Sequence, residues 1–127
     1  MGKVIEKVKF TNLLEPTKSV EVDAVIDTGA TMLVLPQNVV DELGLKKIRE
    51  VKVRYANNRT ESKAIYGVVT VEIKGRTGNF DVLAEVEGSQ PIIGQVVLEV
   101  LDFVVDTRGR TLIANPMSPE MPMVEIL

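Results

Sequence analysis

The chain has 127 residues, 45% apolar and 26% charged, with a formal net charge of −3. That size and balance suit one folded domain with a modest core, and its interspersed charges supply no positive field of the kind nucleic acid needs. Cysteine and histidine are both missing, which removes disulfides, thiolate nucleophiles, histidine-based triads and the usual zinc clusters together.

The amino end, Met1-Gly2-Lys3-Val4, lacks the continuous apolar stretch of a signal peptide, and Gly2 is not followed by Ser or Thr at the spacing of a myristoylation signal. Residues 3–10 alternate loosely, Ile5, Val8 and Phe10 being interrupted by Val4, Lys7 and Lys9, and predict a partly exposed strand. Pro16 makes 12–18 a turn. Val20, Val22 and Ala24 then alternate with Glu21 and Asp23 before Val25 and Ile26 become continuously apolar, so this strand runs from the surface into the core just ahead of Asp27. Residues 31–35 form a second short apolar strand. Pro36 opens a helix at its first turn, Val39, Val40 and Leu43 lie at helical spacing, and Gly44 is placed to end it in a left-handed cap with Leu45 folding back.

Residues 50–56 and 60–66 flank Asn57-Asn58 and predict a hairpin. Val69, Val71 and Ile73 face one way and Thr70, Glu72 and Lys74 the other; after a turn at 75–78, residues 80–86 return antiparallel. Pro91-Ile92-Ile93-Gly94 leads into a short helix over 95–101, and 102–105 pairs with 111–114 in a further hairpin. Pro116, Pro119 and Pro122 stiffen the last segment, while 124–127 is a candidate strand whose lack of a local partner points to pairing with another subunit. No segment approaches the length of a membrane helix. A cytoplasmic, reducing location is therefore expected, with no membrane and no nucleic acid as partner.

The run Val25-Ile26-Asp27-Thr28-Gly29-Ala30 is the one place where the local sequence itself suggests an active site. Water attack on an amide needs one group to take a proton and another to give one, so Asp27 needs a partner. Two carboxylates within about 3 Å cannot both ionise cheaply and share a proton, which supplies both roles. Neither a second Asp-Thr-Gly nor an Asp-Ser-Gly occurs in the chain, and no internal repeat supplies a second lobe. A two-fold dimer would place Asp27 of another copy opposite the first. Taken alone, the tripeptide reads better as a polar turn between strands.

Joined to the downstream Pro91-Ile92-Ile93-Gly94 and its helix, however, the motif resembles that of the retropepsin-like aspartic proteases, the single-domain homodimeric relatives of pepsin. The likeness spans residues 20–105. It implies an all-β fold, a closed retropepsin-like acid-protease barrel with one or two short helices, in one domain over 1–127 with its core at 20–114 and a proline-rich tail at 115–127. It further implies that Asp27 from each chain activates water, that Thr28 braces the catalytic loop across the dimer, and that Gly29 allows close backbone approach. Ala30, Thr31, Asn57, Asn58, Arg59 and Ile92 would meet the substrate, residues 50–66 would form the flap, and Gly94 would permit tight packing against the catalytic strand. Tyr55 and Tyr66 could contact substrate or simply pack. No metal or other cofactor is implied.

Three departures from the pattern stand out. Thr31-Met32 and Gln95 replace an acidic and an arginine brace, and Asn57-Asn58 replaces a glycine-rich flap tip. The leading expectation is an aspartic endopeptidase acting on an extended polypeptide through an intersubunit Asp27/Asp27 pair. The alternatives are a non-catalytic homodimeric peptide-binding module on the same fold, or a structural domain whose dimer merely completes a sheet.

Overall fold

The computed structural model describes residues 3–126. In chain order the elements are β1 (Val4–Asn12), β2 (Ser19–Ile26), β3 (Leu33–Pro36), α1 (Gln37–Glu42), β4 (Lys46–Arg54), β5 (Thr60–Ile73), β6 (Arg76–Glu85), β7 (Ile92–Ile93), α2 (Gln95–Leu101), β8 (Phe103–Asp106) and β9 (Thr111–Ala114). Seven strands make one sheet in the order β1-β2-β7-β3-β6-β5-β4, and β8 with β9 makes a second.

The expected closed all-β barrel is corrected by this arrangement. The large sheet is mixed, with β2–β7 and β3–β6 parallel and its other ladders antiparallel. It carries two helices and leaves β8–β9 as a separate hairpin. The cause lies in β5, which bonds β4 along its first half, β6 over Ile65–Ile73, and β1 over only four residue pairs at Val69–Glu72. The short β1–β5 ladder rolls the sheet, but β4 stays outside as an edge bonded on one side. Lys46, Lys47, Arg49, Glu50, Lys52 and Arg54 are exposed along it, and such a charged edge resists further pairing.

Val8 and Phe10 of β1, Leu33 and Leu35 of β3, Val69, Val71 and Ile73 of β5, and Val97, Leu98 and Leu101 of α2 meet in one core. Ile5 does not join them; it is 46% exposed. The inward face of β1 is 4, 6, 8, 10, 12, a period that admits Glu6 because its Oε1 accepts from the Leu112 amide at 3.3 Å and lies 3.5 Å from Lys74 Nζ. A lone charge there would be costly, whereas this one is paired.

Helix α1 ends as its sequence implies. Gly44 stands at φ +65°, its amide donates to Asp41 O at 3.0 Å, and the amide of buried Leu45 reaches back to Val40 O at 3.3 Å, which together close the last turn in a Schellman motif. Asp102 caps α2 in the left-handed region. Its carboxylate accepts from Asn115 Nδ2, Ser118 Oγ and the Met123 amide, while buried Arg76 donates to the carbonyls of Leu101, Asp102 and Ser118. The proline-rich tail is thus fastened to its own chain as far as Met123. Residues 124–126 take no strand pairing within the chain, and Leu127 lies outside the described residues. Among the described residues, no helix is long and apolar enough to cross a membrane.

Candidate active site

Strand β2 delivers Asp27. Ile26, buried at its end, pairs with Ile93 of the two-residue strand β7, and the ladder continues one step further as the Asp27 amide donates to Ile93 O at 3.0 Å. The chain then turns. The Gly29 amide donates to Asp27 Oδ1 at 2.9 Å and the Ala30 amide to Asp27 O at 3.1 Å. These bonds fix the carboxylate on a tight loop whose residues 27–29 are exposed.

The same loop is tied from its other side. Ala30 O accepts from the Gln95 amide at 2.8 Å and Thr31 O from the Val96 amide at 2.9 Å, so the start of α2 clamps the exit of the loop. Gly94 makes the clamp possible, since a Cβ there would fall 2.4 Å from Met32 O, 2.7 Å from Met32 N and 2.9 Å from Ala30 O. Backbone approaches backbone at this point, and only glycine fits.

A cleft of about 910 Å³ opens beside the loop. Gly29, Ala30, Thr31, Met32, Val34 and Ile92 line one side, and Val51, Val53, Tyr55, Arg59, Glu61 and Lys63 of the β4–β5 hairpin line the other. Of the residues expected at the site, Gly29, Ala30, Thr31, Arg59 and Ile92 therefore come together around one space. Asp27 and Thr28 stand next to it on the loop but do not line it. Asn57 and Asn58 form the exposed hairpin turn, with Asn58 at φ +67° and Asn57 Oδ1 accepting from the Arg59 amide at 2.9 Å, and neither lines the cleft. Tyr66 packs against the core, its hydroxyl accepting from Gln37 Nε2 at 3.4 Å, whereas Tyr55 faces the cleft.

Beside Arg59 and Tyr55 the cleft gathers three charged residues that the motif does not point to, Glu61, Lys63 and Glu85. Lys63 Nζ lies 2.8 Å from Glu85 Oε1 and 3.8 Å from Glu61 Oε1, and their side chains are sheltered, Lys63 being 15% and Glu85 20% exposed. The Tyr55 hydroxyl donates to Glu85 Oε2 at 2.8 Å, and Arg59 pairs with Glu61 at 2.9 Å while its guanidinium sits 5.2 Å from the Tyr55 ring centroid. The bond to Glu85 holds the Lys63 ammonium above the ordinary lysine value. Burial pushes the Glu85 carboxyl up, but its bonds from Lys63 and Tyr55 outweigh that and leave it below the usual carboxylate range. Burial first, then the bond to Glu85, raises the Tyr55 phenol. The sequence does carry a signal for this row: Arg59, Glu61 and Lys63 alternate in charge at strand spacing and so share a face. Glu85 carries no such signal, because it reaches the row only through the pairing of β5 with β6.

Compared with known families, residues 17–105 match the family model described as aspartyl protease. The matched span holds the Asp27 loop, the hairpin above the cleft and the clamp at 92–96. No curated protein matches the chain.

Proposed function

The chain belongs to the aspartyl protease family, and from that premise we propose that two copies meet about a two-fold axis to form an endopeptidase in which Asp27 of each supplies half of a carboxylate pair. One observation carries this reading: an exposed carboxylate is held by the Gly29 amide of its own loop, and that loop is clamped by the 92–96 segment at the rim of a cleft large enough for an extended peptide.

In such a pair one carboxyl keeps its proton and the other is ionised. The ionised member takes a proton from water as the water oxygen attacks the peptide carbonyl carbon, and the protonated member hydrogen-bonds the carbonyl oxygen. When the tetrahedral species collapses, the C–N bond breaks and the leaving nitrogen takes up a proton from the pair. Thr28, next to the carboxylate, braces the loop across the dimer. Gly29, Ala30, Thr31 and Ile92 offer a floor, and the hairpin from Val51 to Lys63 covers the peptide. Asn57 and Asn58 at its tip touch the substrate only when the hairpin closes. The exposed 124–126 segment extends the contact between copies.

The test is hydrolysis of a peptide library by wild type and by Asp27→Asn, with sedimentation of both. Loss of turnover to background in a variant that still dimerises, together with blockade of wild type by a transition-state mimic bearing a hydroxyl at the scissile position, is the expected result. Undiminished cleavage by Asp27→Asn, or cleavage by a strictly monomeric species, removes the mechanism.

A further inference from the structure

We propose that the sheltered Lys63–Glu85 pair makes one wall of the cleft a subsite for a side-chain amide, the Asn or Gln of a bound peptide, in preference to an aliphatic group of similar size. This rests on the preceding reading only in taking the cleft to bind an extended peptide.

The hairpin turns two unlike rows toward the cleft. Val51 stands opposite Lys63, and Val53 opposite Glu61, and directly paired residues of an antiparallel ladder share a face. One row is aliphatic and the other is charged. Across the cleft from Thr31 and Ile92, an extended peptide would therefore meet an apolar wall on β4 and a polar wall on β5 and β6.

The polar wall has a definite chemistry. Arg59, Glu61, Lys63 and Glu85 follow one another with alternating sign through contacts of 2.9, 3.8 and 2.8 Å, so the row is neutral as a whole. It is also unsaturated. An ammonium has three N–H donors, and Lys63 directs its one short contact to Glu85; a carboxylate oxygen accepts more than one bond, and Glu85 Oε2 receives the Tyr55 hydroxyl. A spare donor and a spare acceptor thus lie side by side. A ligand carboxylate would meet Glu61 and Glu85, and a ligand ammonium would meet Lys63. An aliphatic group would strip water from the ion pair and return nothing. A side-chain amide presents an acceptor to Lys63 and a donor to Glu85, which matches both without adding charge.

The experiment exchanges Gln and Leu at each position of a host peptide in turn. It reads kcat/KM on wild type and Kd on Asp27→Asn, which binds without turnover on the reading above. At one position Gln is expected to be favoured by about 10-fold in both readouts, the order of the net gain from a hydrogen bond made at a partly solvated pair. In the double variant Lys63→Met with Glu85→Leu, the preference at that position passes to Leu. Glu85→Gln, which keeps an acceptor for Tyr55 but leaves Lys63 in excess, shifts it toward a Glu-bearing peptide and serves where the double variant does not fold. Equal or Leu-biased binding at every position of wild type overturns the inference, as does a Gln preference that survives the double variant or an unchanged ranking in Glu85→Gln. Peptides that bind with the Gln preference but are never cleaved leave the subsite standing and remove the protease. Failure of every peptide to bind removes the subsite as well.

Discussion

Replacing Gly94 by Ala tests the junction on which the site depends. The added methyl carbon would stand 2.4 Å from Met32 O and 2.7 Å from Met32 N, well inside the separation at which a carbon and a carbonyl oxygen begin to repel. Both obstacles are backbone atoms, so no side chain can rotate away. The start of α2 must move out by nearly the full overlap, and that motion pulls directly on the bonds from Gln95 N to Ala30 O and from Val96 N to Thr31 O, now 2.8 and 2.9 Å. Overpacking of this kind costs about 1–3 kcal/mol, and each backbone bond lost adds about 1 kcal/mol, so the variant should lose roughly 3–5 kcal/mol. For a chain of this size that lowers the thermal midpoint by roughly 10–20 °C. The assay is urea and thermal unfolding beside Gly109→Ala, whose new methyl would meet only the Thr111 Cγ2 at 3.3 Å and the Asp106 side chain at 3.5 Å. A Gly94→Ala protein within about 0.5 kcal/mol of wild type, the range of an ordinary surface change, would show that the loop and α2 are not locked together as described.

Three other outcomes are expected. Arg76→Met leaves the carbonyls of Leu101, Asp102 and Ser118 without their shared donor and should cost about 2–4 kcal/mol while exposing residues 115–123 to limited proteolysis; a tail as resistant as wild type would contradict it. Bonds from Ser118, the Met123 amide and Asn115 hold the Asp102 carboxyl below its ordinary value of 3.8. A depressed folded-state pKa stabilises above the unfolded value and loses that effect as pH falls through the folded one. The Met123 amide should accordingly be protected from hydrogen exchange at neutral pH and lose protection as pH drops below 3.8, and equal protection in Asp102→Ala would refute the link. Lys63→Met strands a sheltered Glu85 and should cost about 1–3 kcal/mol, while the double change with Glu85→Leu recovers at least half of it; denaturant midpoints of the three proteins decide the matter.

How far the sequence discloses this molecule depends on the range of the interaction concerned. Helix α1 is legible because Pro36, Val39, Val40, Leu43 and Gly44 act on one another within two turns, and α2 because its apolar residues repeat at helical spacing behind Gly94. The hairpins at 54–60 and 106–111 likewise follow from local alternation and turn chemistry. Ile5, grouped by the sequence with Val8 and Phe10, faces outward for a physical reason: alternation in β1 puts Glu6 inward, which makes sense only once Leu112 and Lys74, more than sixty residues away, are in position to satisfy it. The mixed sheet escaped the sequence similarly, since β5 is read locally as two strands but is one fourteen-residue strand serving three partners.

The candidate site divides along the same line. The Asp27 loop is legible because its residues bond mainly to themselves and to the equally distinctive 92–96 segment. The cleft wall is legible only in part, because Tyr55 follows β4, Lys63 lies on β5 and Glu85 on β6, and the three acquire a common role only when β5 pairs with β6. This division explains why the tripeptide indicates the class of chemistry while leaving the choice of substrate unspecified. On the proposed reading, attack on a peptide bond depends on the loop, whose bonds run mainly to its own backbone and to the 92–96 segment, whereas discrimination between peptides depends on side chains that long-range pairing collects. An exchange confined to the wall should consequently redirect which peptide is taken without altering the pH dependence of the chemical step, whereas Asp27→Asn should abolish turnover and leave the ranking of bound peptides unchanged.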